Sequence, residues 1–212
     1  MDKRGKFIVF EGGEGSGKDT QIARLKERYS GQNGIIFTRE PGGTNIGEQI
    51  RGILMSRDTH NMDVQAEMLL FLAARAQLIG EVIAPALKAG NHVICNRFGL
   101  STIAYQIYGR ERKQLMEPLH YLNSFVVGEY IPYATILLDL DPTIGIARTQ
   151  NRAGQATRFD AEEIAFHERV REGYTKHLAE FGTPYVINAD RPVEEVWSDV
   201  DIAVQSILSI GK

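Results

Sequence analysis

Gly12, four further residues, and then Gly17-Lys18 form the spacing of a phosphate-cradling loop. The chemistry behind that spacing is geometric. Glycines allow positive φ and close backbone approach. Successive N–H groups can then converge on phosphate oxygens, at the positive end of the helix that follows. Lys18 adds a full charge. The motif expects Ser or Thr at the next position, where a hydroxyl holds Mg²⁺; this chain has Asp19, followed by Thr20. Beyond a nucleoside triphosphate, the loop alone names no substrate.

Such a loop needs a strand before it and a helix after it, and the surrounding residues supply both. Phe7 to Phe10 is apolar, and Lys18–Tyr29 reads as the helix leaving the loop. Four more short apolar runs read as strands: Ile35–Arg39, His92–Arg97, Ala134–Leu140 and Tyr185–Asn188, beside Lys6–Glu11. None alternates cleanly, as expected of strands buried on both faces. Helical patterns separate them at Ile46–Met55, Val64–Leu87, Arg112–Val127, Ile164–Phe181 and Val193–Ile210. Asp141-Pro142 reads as a helix cap and first helical residue. Alternating β and α over the whole length predicts a five-stranded parallel sheet with helices on both faces. No linker or repeat divides the chain, so residues 1–212 read as one α/β domain. Polar Asn151–Asp160 reads as a loop between two helices.

Composition sets outer bounds. A formal charge of −3 argues against a surface built to coat nucleic acid. Cys95 is the only cysteine, which leaves no intrachain disulfide, and its apolar neighbours make it a small buried hydrophobe. The apolar stretch near the N-terminus is too short for a signal peptide, and no apolar run is expected to reach bilayer-spanning length. These features fit a reducing cytoplasm.

Five further segments carry a resemblance. Thr38-Arg39-Glu40-Pro41-Gly42-Gly43-Thr44, with Ile46-Gly47-Glu48 and Ile50-Arg51, resembles the segment after the second strand of bacterial thymidylate kinases. Leu70 to Gln77 resembles that family's thymine-binding helix. Asn96-Arg97-Phe98, Ser101 and Ala104-Tyr105-Gln106 resemble its Asp-Arg-Tyr…Ser…Ala-Tyr-Gln segment. Leu138-Asp139…Pro142…Gly145…Arg148 and Phe166 to Tyr174 complete the series in the family's order. The resemblance implies a P-loop nucleoside monophosphate kinase fold and transfer of the γ-phosphoryl of ATP to dTMP, giving dTDP. It also implies Mg²⁺ and a homodimer formed by helices packed face to face, for which Val64–Leu87 and Gln114–Val127 are the apolar candidates; burial of both within the monomer is the alternative.

The resemblance also distributes roles. The ATP site comprises Gly12, Gly13, Glu14, Gly15, Ser16, Gly17, Lys18, Asp19 and Thr20, with Arg148 against the adenine and Asp190 in the loop after the last strand. Lys18 grips the β- and γ-phosphates. Glu14 accepts from the 3′-hydroxyl of the acceptor sugar. Arg39 and Arg97 bind the acceptor phosphate, a task that suits arginine's planar fork. Phe71 stacks on thymine, and Arg75, one helical turn on, bonds a base carbonyl; by pattern alone Phe71 would be core. Thr102, Tyr105 and Gln106 complete the pocket, with Pro41 at a position that is cis in the family. Arg152 and Arg158 are expected to act as arginine fingers in a lid at about 151–160. The catalytic set is then Lys18, Asp19, Arg97, Arg152 and Arg158.

Two positions depart from the family. Asp19 stands where a hydroxyl belongs, and Asn96 stands where a carboxylate belongs, so the number of carboxylates is unchanged. A bare carboxylate beside triphosphate is repelled by about 4 kcal/mol per like-charge pair at ~4 Å and an effective dielectric of ~20. An intervening cation reverses that sign. The expectation is that Asp19 holds Mg²⁺, directly or through water, with Asn96 offering an amide oxygen. Two rivals remain: a kinase for a related pyrimidine nucleotide such as dUMP, and a nucleotide-binding regulator without turnover.

Overall fold

The computed structural model describes residues 4–59, 61–150, 159 and 162–209. Five strands, β1 (Phe7–Glu11), β2 (Ile35–Arg39), β3 (His92–Asn96), β4 (Ala134–Asp139) and β5 (Thr183–Asn188), pair in parallel in the order β2-β3-β1-β4-β5. The expected strands are all present, within two residues at each end. Strand β1 shows why its pattern lacks alternation. Phe7 and Val9 pack with Leu78 and Ile83 on one face, while Ile8 and Phe10 pack with Leu25, Val200 and Val204 on the other. Both faces are covered, so both must be apolar.

The helices are α1 (Lys18–Arg28), α2 (Asn45–Met55), α3 (the continuous helical run Val64–Lys88), α4 (Gly99–Thr102 with its π-helical continuation Ile103–Gly109), α5 (Met116–Val127), α6 (Pro142–Gln150), α7 (Ile164–His177) and α8 (Val193–Ser209). Helix α4 was not among the expected helices, although Thr102 and Gln106 do share a helical face. A π-helical turn at Ile79–Ile83 interrupts α3 just before Pro85. Proline has no N–H for the helix ladder and crowds the preceding turn, and a wider turn accommodates both. Asp141 caps α6 as expected, accepting from the Thr143 N–H at 2.8 Å.

By length and composition α3 is long and apolar enough to cross a membrane, against the expectation that no run would be. Half of that apolar window is buried inside the protein. Arg75 lies in its middle with its charge paired inside the fold. These contacts make α3 a core helix.

Candidate active site

In open parallel sheets ligands bind at the carboxyl ends of the strands where the strand order reverses, which here is around β1. The glycine-rich loop leaves β1 there. Asn96, which ends β3, lies in register with both Phe10 and Arg39. A cavity of about 350 Å³ opens between these ends. On one side it is lined by Glu14 through Asp19, and on the other by Arg39, Arg51, Arg97, Phe71 and Gln106.

The loop is shaped by close packing as well as by φ. Gly15 has φ +70°, and a Cβ there would sit 2.1 Å from the Gly145 carbonyl oxygen. A Cβ on Gly145 would in turn sit 2.3 Å from the Glu14 carbonyl oxygen. Only two glycines let α6 approach the loop this closely. Arg148, one turn further along α6, reaches the carbonyls of Gly15 (3.4 Å) and Ala189 (3.2 Å) and lies 3.9 Å from Asp190. The residues expected around the adenine are therefore together. Thr20 is exposed and does not line the cavity.

Lys18 is almost fully buried and folds back onto its own loop. Its ammonium donates to the carbonyls of Gly12 (2.8 Å) and Gly13 (2.9 Å) and to the Ser16 hydroxyl (3.0 Å). Burial, and then the charge of Arg97, push its pKa down to about 7, against the pull of Glu14, Asp19 and Glu11. Phosphates placed beside the ammonium favour its charged form. Nucleotide binding at pH 8.5 is therefore expected to take up about one proton, and about half a proton at pH 7. Affinity should fall roughly tenfold per pH unit above 7. Calorimetry in two buffers of different ionisation enthalpy measures the uptake; identical heats at pH 8.5 would exclude it.

Arg97 follows β3 with φ +68°, a left-handed conformation uncommon for a long side chain. Its guanidinium donates to the Gly12 carbonyl (3.0 Å), Ser101 Oγ (3.2 Å) and Tyr174 Oη (2.6 Å) through Nη1, and to Glu14 (3.0 Å) and Tyr105 Oη (3.1 Å) through Nη2. Glu14 also accepts from Tyr105 Oη at 2.7 Å. Burial pushes the Glu14 carboxyl up, but Arg97, Lys18 and that hydroxyl outweigh it and hold the group below its ordinary value. Glu11, buried beneath, accepts from the backbone N–H of Phe98 (2.9 Å) and from Ser101 Oγ (2.6 Å), which fixes the start of α4.

Asn96 Nδ2 donates to Asp19 Oδ1 at 2.6 Å. The two departures from the family motif therefore touch. Asn96 Oδ1 is buried without a hydrogen-bond partner. Among the described residues no group of three or more His, Cys, Asp or Glu could hold a metal on its own. A carboxylate and an amide oxygen are hard donors, and Mg²⁺ commonly takes one or two such groups together with substrate phosphates. The residues present fit an ion that arrives with a triphosphate.

The acceptor side is partly rearranged from expectation. Phe71, Tyr105, Gln106 and Pro41 line the cavity, and the Glu40–Pro41 peptide is cis. Arg39 is held by Glu48 at 2.8 Å. Arg75 and Thr102 do not line the cavity but lie behind it. The reason is charge. Arg75 is wholly buried and needs a carboxylate, which Glu40 supplies through two hydrogen bonds. Its Nη groups also donate to Asn123 Oδ1 and to Thr102 Oγ1, both at 2.7 Å. Four of its five N–H groups are thus engaged. Thr102 accepts from Arg75 and so holds it in place behind the lining, whereas the expectation was that Thr102 completes the base pocket. Arg152 and Arg158 lie outside the described residues.

Lining residues given no role from the sequence include Glu40, Arg51, Met55, Ser101, Thr149 and Phe159. Arg51 donates to the Pro41 carbonyl at 3.0 Å. It stands three residues after Glu48 and so shares the helical face that meets Arg39, a legible signal. Met55 and Phe159 are apolar residues with no spacing that marks them.

Comparison with known proteins decides the lineage. The family model described as Thymidylate kinase matches residues 10–200. The chain belongs to the thymidylate kinase family. It is 43% identical over 204 residues to a protein named thymidylate kinase from Magnetococcus marinus, covering 93% of this chain and 96% of that one. It is 42% identical to those of Clostridium novyi (93% and 97% covered) and Geobacillus thermodenitrificans (98% and 93%). Membership makes this chain a nucleoside monophosphate kinase with a P-loop fold, and its activity is ATP-dependent phosphorylation of dTMP to dTDP.

Proposed function

We propose that this cavity carries out dTMP phosphorylation with the division of labour that follows. The observation that carries it is the juxtaposition of Lys18 and its loop with three arginines and an aromatic face in one cavity. Two polyanions must meet, and little covalent chemistry falls to the protein, so cations and positioning do most of the catalysis. Lys18 releases its loop carbonyls and holds the donor phosphates. Arg97 and Arg39 hold the acceptor phosphate, and Arg51 adds a third guanidinium beside them. Glu14 accepts from the sugar hydroxyl. Phe71 stacks on the base, and the fifth N–H of Arg75 serves a base carbonyl. Arg148 and Asp190 border the adenine, and Arg152 and Arg158 supply lid cations.

Mg²⁺ is the cofactor of this reading, with Asp19 and Asn96 as its protein-side oxygens. When bound it would neutralise charge between donor phosphates. The protein's own part is to hold Asp19 by the Asn96 amide so that one carboxylate oxygen stays available.

Leu69 on α3 and Tyr121 and Phe125 on α5 are strongly exposed, the last at 81%. They support a homodimer built through α3 and α5. Both substrates are small anions, and the reading places the enzyme in the cytoplasm, with no nucleic acid or membrane among its partners.

A coupled ADP-release assay with dTMP, dUMP and dCMP tests the whole. The expected result is fast turnover with dTMP and slower turnover with dUMP. Nucleotide binding without ADP release would establish the regulator instead.

A further inference from the structure

A carboxylate behind the base pocket is not accounted for by any of these roles. Glu67, on α3 one helical turn before Phe71, is completely buried. Gln106 Nε2 donates to its Oε1 at 2.6 Å. Arg110 lies 3.6 Å from its other oxygen and supplies the countercharge. Gln106 itself is almost fully buried, yet it lines the cavity.

An ionised carboxylate accepts hydrogen bonds and cannot donate. Glu67 therefore admits only one orientation of the Gln106 amide, with the NH₂ toward Glu67. The carbonyl oxygen is left to the cavity. Without that partner a glutamine offers either face to a ligand. We propose that Glu67 is a specificity-determining positioning residue: it fixes Gln106 as an acceptor, and so selects pyrimidines that carry an imide N–H. The proposal rests on the reading that this cavity takes a pyrimidine nucleotide.

The selection works at two atoms. Thymine and uracil present N3–H to the Gln106 oxygen and a carbonyl O4 to a donor such as Arg75. Cytosine presents a lone pair at N3 and an NH₂ at C4. The first meets an acceptor and the second meets a donor. Both mismatches leave buried polar groups unpaired, the kind of error that gives strong rejection. The device does not sense the 5-methyl group, so dUMP and dTMP pass it alike.

The test is the ratio of kcat/KM for dTMP to that for dCMP, in the full-length protein. Wild type is expected to favour dTMP by at least about 10³-fold. In Glu67→Gln the new amide can donate to the Gln106 oxygen, which frees Gln106 to turn its NH₂ toward the base. The ratio is expected to drop about tenfold or more, with dCMP gaining relative to dTMP. A merely structural role, or a partly unfolded preparation, lowers both substrates together and leaves the ratio intact. The exchange Glu67→Gln with Gln106→Glu restores an acceptor facing the base and is expected to restore the preference; it also serves if the single variant does not fold. An unchanged ratio in Glu67→Gln overturns the proposal, as does an exchange variant that takes dCMP as readily as dTMP. Wild type that makes no dTDP from dTMP overturns the underlying reading instead.

Discussion

Replacing Asp19 by serine is expected to abolish measurable turnover, and adding Asn96→Asp to that variant is expected to restore much of it. The first change looks like a repair, because it brings in the hydroxyl that the loop motif calls for. The contact between Asn96 Nδ2 and Asp19 Oδ1 argues the opposite. The two residues share one site, and that site holds one carboxylate. Asp19→Ser leaves none. Triphosphate then meets a neutral pair, with no acidic oxygen to anchor its cation. Loss of one preorganised electrostatic contact typically costs about 10²–10³ in kcat, and here the Asn96 amide loses its acceptor as well. The double variant returns the carboxylate to the end of β3 and the hydroxyl to the loop, and activity within about tenfold of wild type is expected. Asn96→Asp alone puts two carboxylates side by side, where like charges resist joint ionisation.

A second readout separates binding from chemistry. ADP affinity with and without Mg²⁺, measured by calorimetry, should depend on the cation far more in wild type than in Asp19→Ser. Bare nucleotide is repelled by Asp19 at a cost of about 4 kcal/mol for a pair at ~4 Å and effective dielectric ~20. Full activity in the single variant, or equal dependence on Mg²⁺ in both proteins, would falsify the exchange.

The difference between what the sequence did and did not disclose follows from how far each signal reaches. Strands β1 to β5 were legible because each is a local apolar run whose burial on two faces demands that composition. The phosphate loop was legible because its geometry is set by glycines at fixed spacing. Contacts between distant residues were legible only in part. That Asp19 and Asn96 depart together was visible; that they touch depends on β3 lying beside β1. The position of Arg75 depended on a partner, Glu40, that lies 35 residues away and takes up its fork. Helix α4 was missed because its first turn follows closely on the left-handed Arg97, and the carboxylate that caps it, Glu11, comes from β1, 87 residues before Phe98. Glu67 gave no sign at all, since one glutamate on an apolar helix has nothing in its neighbourhood to show what it faces.

Arg97→Lys is the other substitution with a large expected effect, a fall in kcat of about 10³-fold. Charge is kept, so the loss measures geometry. Lysine has three donors on one atom and cannot span Gly12, Ser101 and Tyr174 on one side while reaching Glu14 and Tyr105 on the other. The bidentate grip proposed for Arg97 on the acceptor phosphate would go with it. The backbone at φ +68° is no better suited to lysine than to arginine, so the strain is unchanged and any fall in melting temperature reports the lost hydrogen bonds. The pH profile adds an independent check. Burial drives the Glu14 carboxyl up, and Arg97 is the first of the groups that bring it back below its ordinary value. Weakening that contact lets the pKa rise. A depressed carboxylate works above its pKa and fails as pH falls through it. The acid limb of activity should therefore move to higher pH in Arg97→Lys. An acid limb that stays in place while kcat collapses would assign Arg97 to the acceptor phosphate alone, and a kcat within threefold of wild type would remove it from catalysis.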